Sequence, residues 1–381
     1  MTRTASRIAA LLATVAATAA AHATTVAQRR FGQLPDGTAI AAVTLTNTAG
    51  MRVTILTLGA SVQSVIVPDR AGHFADVALG YPDIAGYVAK PNFFGATVGR
   101  VANRIAKGRF TLDGKSYAVP LSDGPNSLHG GTKGFDKVAW QLVSTAAGPT
   151  ATVVLRYVSP DGDQGYPGIL TTTATYALDE AGALSVDYRA TTDRPTIVNL
   201  SNHTYWNLSG EGSANGAMGE RLTIPAEAYS PTDATAIPTG EFRAVAGTAF
   251  DFRTPRVIGD RVRDATDPQL RYGRGYDHNW VVSRTRTAAP RLMARVEDPA
   301  SGRVLEILSD QPGIQFYSGN FLDGTIVGKA GHLYREGDAI VLEPQMFPDT
   351  PNHPEFGSVR LAPGQTYANR IVFRFSIAPA H

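Results

Sequence analysis

The pattern that most constrains the fold of this chain is an alternation of apolar and polar side chains with a period of two residues. It is clear in residues 151–158 and recurs in residues 170–176 and 184–188. Successive side chains of a strand point to opposite faces, so this alternation predicts strands with one buried face. Runs of helical period are almost absent past Thr24, and the chain is therefore predicted to be all-β.

Turn residues separate the predicted strands. Residues 179–182, which read Asp-Glu-Ala-Gly, are typical of a hairpin connection with glycine at the turn. The chain also contains 38 glycines and 24 prolines. Two large packed antiparallel sheets, a β-sandwich, are the simplest way to bury so many strands. No low-complexity linker divides residues 24–381, so we expect one large domain, with two intimately packed halves as the alternative.

The amino-terminal residues have the pattern of a secretory signal peptide. Arg3 and Arg7 precede a run of small and apolar residues from 8 to 21, and Ala21-His22-Ala23 suits cleavage after Ala23. Residues 1–23 are therefore predicted to be removed, which leaves a mature protein that is exported, to the periplasm or beyond, and not stably inserted in a membrane. An uncleaved anchor and a mis-assigned start codon are the alternatives, but the run is short and alanine-rich for a transmembrane helix.

Charge and cysteine content exclude several function classes. The formal net charge is +2, and the arginines are scattered without a basic run, which argues against nucleic acid or an anionic membrane as a partner. There is no cysteine, so disulfides, thiolate catalysis and cysteine-ligated metals are excluded. The eight histidines are dispersed without a His-x-x-x-His spacing, and no metal or other cofactor is expected.

Residues 199–210 contain the group of side chains that points most directly to a ligand. The segment reads Asn-Leu-Ser-Asn-His-Thr-Tyr-Trp-Asn-Leu-Ser-Gly, with His203 at its centre. Amides and hydroxyls can hydrogen-bond the hydroxyls of a neutral ligand, and a histidine can move protons near neutral pH. This combination suits a sugar, although a polar edge strand or loop with a solvated histidine would read similarly.

Two glycine-rich segments add possible ligand contacts. In residues 99–105, Arg104 offers five donors in a rigid fork that can hold two neighbouring sugar hydroxyls. In residues 126–131, glycines allow the backbone to approach a ligand closely while His129 presents a second imidazole. A surface ion pair for the arginine and a satisfied loop histidine are the alternative interpretations.

Two carboxylates are associated with predicted strands. Asp277 precedes a strand that runs through residues 281–282 and could accept hydrogen bonds from substrate hydroxyls, or could simply cap a turn. Glu343 follows the apolar residues 340–342 and precedes Pro344, which predicts a position at the end of a strand. Apolar surroundings raise a carboxyl pKa toward the range of a general base, whereas an ion pair with an arginine is the alternative.

Taken together and in this order, these motifs resemble the aldose 1-epimerase family, also called galactose mutarotases. The matches are residues 99–105, 126–131, 134–137, 165–168, 202–203, 277–279, 315–317 and 342–352, which span nearly all of the mature chain. The resemblance implies the galactose-mutarotase-like supersandwich and the interconversion, without a cofactor, of the α and β anomers of free aldohexoses such as glucose and galactose.

The resemblance also implies residue roles. His203 would be the general acid and Glu343 the general base, while the sugar pocket would be lined by Asn103, Arg104, His129, Asp277 and Gln315. The chain departs from the family pattern at Pro344, where threonine is commoner. Because proline has no backbone N–H, this residue can change how the strand of Glu343 pairs.

Three other functions compete with anomer exchange. A non-catalytic secreted carbohydrate-binding module would use similar polar and aromatic groups but would not require both His203 and Glu343. An epimerase of phosphorylated hexoses would need a cluster of extra cations, which the sequence lacks. A glycosidase would normally need two suitably spaced carboxyls, whereas the carboxylate here is accompanied by histidines. The preferred aldose and the oligomeric state do not follow from the sequence.

Overall fold

The computed structural model describes residues 23–379, and these residues form mainly β-strands. The strands, in chain order, are β1 (Thr25–Gln33), β2 (Ala39–Thr46), β3 (Arg52–Leu56), β4 (Ser61–Pro68), β5 (Phe74–Asp76), β6 (Ala96–Val98), β7 (Arg104–Ile105), β8 (Arg109–Leu112), β9 (Lys115–Ala118), β10 (Ser127–Leu128), β11 (Gln141–Ala146), β12 (Thr150–Ser159), β13 (Leu170–Asp179), β14 (Ala183–Thr192), β15 (Thr196–Ile197), β16 (Ser201–His203), β17 (Tyr205–Trp206), β18 (Arg221–Thr223), β19 (Ala228–Ser230), β20 (Arg243–Ala244), β21 (Arg256–Val257), β22 (Asp277–Val281), β23 (Arg291–Glu297), β24 (Arg303–Ser309), β25 (Gly313–Tyr317), β26 (Asp323–Val327), β27 (Leu333–Arg335), β28 (Ile340–Gln345), β29 (Arg360–Leu361) and β30 (Tyr367–Ile377).

Helical structure is limited to short pieces. The α-helices are α1 (Ile84–Ala89) and α2 (Pro268–Gly273), and the 3₁₀ turns are Ala106–Gly108, Phe135–Lys137, Asp163–Gly165, Ile258–Asp260, Thr350–Asn352 and Pro354–Phe356. Within residues 23–379, no helix combines the length and the apolar character that crossing a membrane requires. The predicted signal peptide lies outside the described residues, except for Ala23.

Three large antiparallel sheets organise the chain. The first has nine strands in the order β11-β12-β13-β14-β30-β24-β23-β18-β21, the second has six in the order β17-β28-β25-β22-β19-β20, and the third has five in the order β1-β2-β3-β4-β5. The predicted hairpin is confirmed, since β13 pairs with β14 and Leu178 lies opposite Leu184. Gly182 in its turn has φ +81°, a conformation that favours glycine.

One hydrophobic core joins the three sheets. It includes Ile55 of the five-stranded sheet, Ile314 and Leu342 of the six-stranded sheet, and Leu305 and Phe373 of the nine-stranded sheet, all with 0–1% exposure. Burial of apolar surface on this scale is the main stabilising term of the fold.

The nine-stranded sheet contacts both of the others. The Trp206 and Phe373 rings lie 5.1 Å apart across the interface with the six-stranded sheet. The Tyr176 hydroxyl donates to the Ala60 carbonyl, between β3 and β4, over 2.7 Å. The prediction of an all-β sandwich is therefore confirmed, and its second layer consists of two sheets.

Glu220 is an ionisable residue that this core encloses. Its side chain has 0% exposure, and Oε1 accepts the Leu208 N–H at 2.5 Å, while Oε2 has no hydrogen-bond partner among the described residues. Burial raises the pKa of this carboxyl well above its ordinary value of 4.5, and the nearby Asp298 raises it further.

We expect Glu220→Gln to stabilise the protein increasingly as the pH rises above 4.5. The folded protein holds the Glu220 proton more tightly than the unfolded chain does. The resulting stabilisation is complete below pH 4.5 and is lost as the pH rises through the raised pKa. Over that window, the wild-type free energy of unfolding should fall relative to the variant by on the order of 1 kcal/mol per pH unit.

Urea denaturation of wild type and variant between pH 4 and pH 9, about ten points per curve, would measure this difference. Glu336→Gln, at an exposed position, is the matched control and should follow wild type throughout. Parallel stability curves for wild type and Glu220→Gln would show that Glu220 is not the titrating group.

Candidate active site

The predicted site residues converge on one cavity of about 150 Å³. Its walls come from segments that are far apart in the chain: the loop before β6, β7, the end of β10, β16, β17 and the six-stranded sheet. The lining residues are Asn92, Phe93, Asn103, Arg104, Leu128, His129, His203, Tyr205, Asp277, Tyr317, Phe321 and Glu343. Six of the seven predicted site residues are among them, and the seventh, Gln315, contacts Asp277 directly.

His203 and Glu343 lie side by side at this cavity. His203 ends β16 and Glu343 lies in β28, with Nε2 and Oε1 3.8 Å apart. Burial lowers the pKa of His203 to about 4. Burial also raises the pKa of Glu343 well above 4.5; the Asp277 carboxylate adds to this increase, and the Arg104 guanidinium opposes it. Both shifts favour the uncharged forms, so His203 is a neutral imidazole near neutral pH in the unliganded protein.

The sequence analysis predicted that Glu343 lies at the end of a strand, but the structure places it inside β28. Strand β28 continues through Pro344 to Gln345, which lies opposite Gly313 of β25. The Pro344 carbonyl accepts hydrogen bonds from Ser201 Oγ at 2.9 Å and Asn369 Nδ2 at 3.2 Å. In an antiparallel strand, the N–H and C=O of one residue point to the same side, so the missing N–H of Pro344 does not face β25. The proline therefore leaves the pairing between β28 and β25 intact.

His129 is held in one orientation by Asn103. The backbone N–H of Asn103 donates to His129 Nδ1 at 3.1 Å, and the backbone N–H of His129 donates to the Asn103 backbone carbonyl at 2.9 Å. In the neutral imidazole, an accepting Nδ1 places the proton on Nε2. The pKa of His129 is lowered well below 6.5 by burial and by the positive charges around it. His129 is thus set to act as a neutral hydrogen-bond donor.

Arg104 connects two carboxylates at the cavity wall. Its Nε donates to Asp123 Oδ2 at 2.7 Å, and a terminal nitrogen lies 3.6 Å from Asp277 Oδ2. Burial opposes the charge of Arg104, but Asp277 and Asp123 outweigh that effect and raise its pKa. A permanent cation therefore stands beside Asp277, in a position to share ligand hydroxyls with it.

Gln315 and Asp277 are joined across adjacent strands. Gln315 Nε2 donates to Asp277 Oδ1 at 2.7 Å, and Gln315 lies directly opposite Glu343 in the register of β25 and β28. Gln315 Oε1 and Glu343 Oε2 have no hydrogen-bond partners among residues 23–379. A buried acceptor without a partner is costly, and hydroxyl groups of a ligand would satisfy both.

His278 fixes the beginning of strand β22 behind Asp277. Its Nδ1 accepts the Asp277 N–H at 3.1 Å, and Nε2 lies 3.2 Å from Gln269 Oε1. Gln269 is held in turn by two hydrogen bonds with the Thr232 backbone. Burial lowers the pKa of His278 to about 3, and Arg104 contributes to this shift. The imidazole therefore remains neutral and orients Asp277.

Aromatic residues complete the cavity, and the sequence analysis assigned none of them individually. Tyr205 and Tyr317 lie in segments that it singled out, residues 199–210 and 315–317, and the Tyr205 ring packs 5.2 Å from that of His203. The sequence analysis singled out no segment that contains Phe93 or Phe321. Phe93 packs against both His129 and His203, whereas Phe321 stacks on Tyr317 and is 52% exposed at the rim.

His129, His203 and Glu343 are also close enough to be considered as metal ligands. One possible ligand atom from each residue lies within 4.8 Å of the others. However, the hydrogen bond from Asn103 to His129 Nδ1 leaves the proton on Nε2, the atom that would have to bind a metal. The donor set fits a hydroxylated ligand better than a metal ion.

Comparisons with known proteins agree with this geometry. The family model described as aldose 1-epimerase matches residues 41–374. Galactose mutarotase of Rattus norvegicus is 45% identical over 350 residues, which are 91% of this chain and 98% of that protein. Aldose 1-epimerase of Escherichia coli (strain K12) is 38% identical over 343 residues, 90% of this chain and 96% of that protein.

Similarity extends to solved structures. The crystal structure of galactose 1-epimerase from Lactobacillus acidophilus NCFM superposes with a TM-score of 0.81 at 30% identity. The superposition covers 93% of this chain and 99% of that structure.

Proposed function

The chain belongs to the aldose 1-epimerase family and is a mutarotase, and we propose that it exchanges the anomers of free aldohexoses by means of His203 and Glu343. Glucose and galactose are the proposed substrates. The observation that supports these roles best is the 3.8 Å separation of His203 Nε2 and Glu343 Oε1 at a cavity lined with hydrogen-bonding and aromatic groups. A carboxylate and an imidazolium ion are the base and the acid that ring opening requires.

Ring opening moves two protons. The Glu343 carboxylate removes the proton of the O1 hydroxyl, and the O1–H electron pair becomes part of the C1=O double bond. The bond between C1 and the ring oxygen breaks, and its electrons go to the ring oxygen, which takes a proton from the His203 imidazolium. The product is the open-chain aldehyde, with Glu343 protonated and His203 neutral.

Ring closure reverses these transfers on the other face of the aldehyde. Rotation about C1–C2 presents that face to the C5 hydroxyl. The hydroxyl oxygen attacks C1 and returns its proton to His203, while the carbonyl oxygen takes the proton from Glu343. The enzyme recovers both starting protonation states, and no other reactant is consumed.

The buried environment favours the ring-opening step. Before it, the pair carries one negative and one positive charge, and after it both residues are neutral. Because burial raises the pKa of Glu343 and lowers that of His203, the site disfavours the charged pair. Since the unliganded pair is uncharged, the reactive pair forms when the proton of Glu343 passes to His203 as the sugar binds, and ring opening returns both residues to their uncharged forms.

The remaining residues hold the sugar. Arg104 and Asp277 are placed to bind neighbouring ring hydroxyls, and Gln315 orients Asp277. Asn103 positions His129, whose Nε2–H can donate to a further hydroxyl. Correct orientation of this kind supplies a large part of the rate acceleration of an enzyme. A non-catalytic binding module is not favoured, because it would have no use for a buried acid–base pair.

We expect His203→Ala and Glu343→Gln each to fold normally and to lose about 10²–10⁴-fold in kcat, the usual contribution of one positioned acid or base. Polarimetry on fresh α-D-glucose and α-D-galactose, with subtraction of the spontaneous rate, measures this loss. His332→Ala and Glu336→Gln, at exposed positions, are the matched controls. Wild-type rates in either site variant would remove that residue from the mechanism.

Asp277→Asn should move the acid limb of the kcat/KM profile to lower pH. The Asp277 carboxylate helps burial to raise the pKa of Glu343, so its neutralisation lowers that pKa and keeps the base ionised in more acidic solution. The loss of a charged hydrogen-bond acceptor should also raise KM by about 10–100-fold.

Asp123→Asn is the control for this shift, since Asp123 also pairs with Arg104 but does not affect the pKa of Glu343. It should leave the acid limb in place. An unchanged limb in Asp277→Asn would contradict the proposed coupling between Asp277 and Glu343.

We also propose that the chain is exported, to the periplasm or beyond, after removal of residues 1–23. Support comes from Arg3, Arg7 and the small and apolar run that follows them. Strand β1 begins at Thr25, so cleavage after Ala23 would leave every strand of the fold intact.

Expression of the full chain in a Gram-negative host, with fractionation and mass spectrometry, tests this proposal. The expected product is periplasmic or secreted and begins at Thr24. Ala23→Leu should block its maturation, because the cleavage site requires small residues. A chain started by Met in front of Thr24 is the control and should remain active in the cytoplasm. Full-length protein retained in the cytoplasm would contradict export.

A further inference from the structure

Phe93 separates the active-site cavity from a second, larger cavity. Its ring centroid lies 4.8 Å from that of His129 and 5.6 Å from that of His203. Phe93 and Asn92 line both cavities, and the second has a volume of about 320 Å³. On one side the ring therefore contacts the two imidazoles, and on the other side it borders open space.

The backbone of Phe93 has an unfavourable conformation. Its φ is +60°, in the left-handed region that residues other than glycine rarely adopt. Strain of this kind persists only where the surroundings hold the residue. Because the side of the Phe93 ring that faces the second cavity is incompletely packed, another interaction must help to hold the ring.

The ammonium group of Lys137 provides that interaction. Its Nζ lies 4.8 Å from the centre of the Phe93 ring, a distance at which a cation is attracted to an aromatic face. The same Nζ lies 2.7 Å from Asp136 Oδ2, and the Asp136 side chain is only 3% exposed. The cation is thus held by a buried carboxylate.

The 3₁₀ turn Phe135–Lys137 anchors this ion pair to the rest of the site. The Phe135 N–H donates to the Gly99 carbonyl at 3.1 Å, next to β6, which pairs with β16 and therefore with the strand of His203. The Trp140 indole N–H donates to the Phe135 carbonyl, also at 3.1 Å. This turn lies within the Gly-Phe-Asp-Lys motif of residues 134–137, for which the acid–base mechanism has no role.

We propose that Phe93 is a positioning residue for His129 and His203, and that the Asp136–Lys137 ion pair holds its ring in place. The proposal rests on the proposed roles of the two histidines. Without the cation, the ring is free to move into the second cavity, and the imidazoles lose a wall that fixes their orientation and limits the access of water. Arg104, Asp277 and Gln315 hold the sugar from other strands and are not affected.

The proposal predicts a specific kinetic pattern. Lys137→Met should lower kcat about tenfold while KM rises by no more than about twofold, because the orientation of His203 changes and, among the sugar contacts, only that of His129 is affected. Lys137→Arg, which keeps a cation beside the ring, should restore most of kcat. Phe93→Leu should reproduce the effect of Lys137→Met. Lys133→Met is the matched control, since Lys133 borders the same cavity without a contact to the Phe93 ring.

The double variant Phe93→Leu with Lys137→Met is decisive. If the lysine acts through the ring, its loss should cost nothing further once the ring is removed, whereas independent structural effects would add. Thermal unfolding of each variant measures any general loss of stability.

Additive losses, a wild-type kcat in Lys137→Met, or failure of Lys137→Arg to restore activity in a folded protein would overturn the proposal. His203→Ala, assayed in parallel, distinguishes this failure from failure of the proposed function. An active His203→Ala enzyme would contradict the mechanism itself, whereas an inactive one combined with an unaffected Lys137→Met enzyme would overturn the positioning role alone.

Discussion

The cross-strand register of β22, β25 and β28 is the constraint on which the site depends. It places Gln315 opposite Glu343, and Asp277 opposite Tyr317, on neighbouring strands of the six-stranded sheet. Side chains alternate between faces, so a slip of one residue would turn Glu343 into the apolar core and Leu342 toward the cavity. The hydrophobic core that holds Ile314 and Leu342 thus also sets the direction of the Glu343 carboxylate.

Burial then determines the chemistry of the groups that the register brings together. His203 and Glu343 have 5% and 2% exposure, and neither is held in its charged form by a close hydrogen-bonded counterion. Arg104, by contrast, keeps its charge because two carboxylates flank it. One cavity therefore contains groups that can exchange a proton and a group that cannot. This division matches the proposed separation between residues that react and residues that bind.

Much of this architecture could be predicted from the sequence. Two-residue periodicity identified β12, β13 and β14, since tertiary packing follows the same alternation along these long strands. The position of Glu343 was predicted wrongly, because proline usually ends a strand, whereas the missing N–H of Pro344 faces away from β25 and leaves the strand pairing intact. Phe93 was also missed, since an aromatic residue between Asn92 and Phe94 gives no local sign that its ring will contact two distant histidines.

The hydrogen bonds to the Pro344 carbonyl have a further consequence. Ser201 lies two residues before His203, and Pro344 follows Glu343 directly, so the 2.9 Å hydrogen bond between Ser201 and Pro344 links the strands of the proposed acid and the proposed base. At position 344 this hydrogen bond uses only the backbone carbonyl, a group that every amino acid provides. The distance between His203 and Glu343 therefore requires no particular side chain at the position that follows the glutamate.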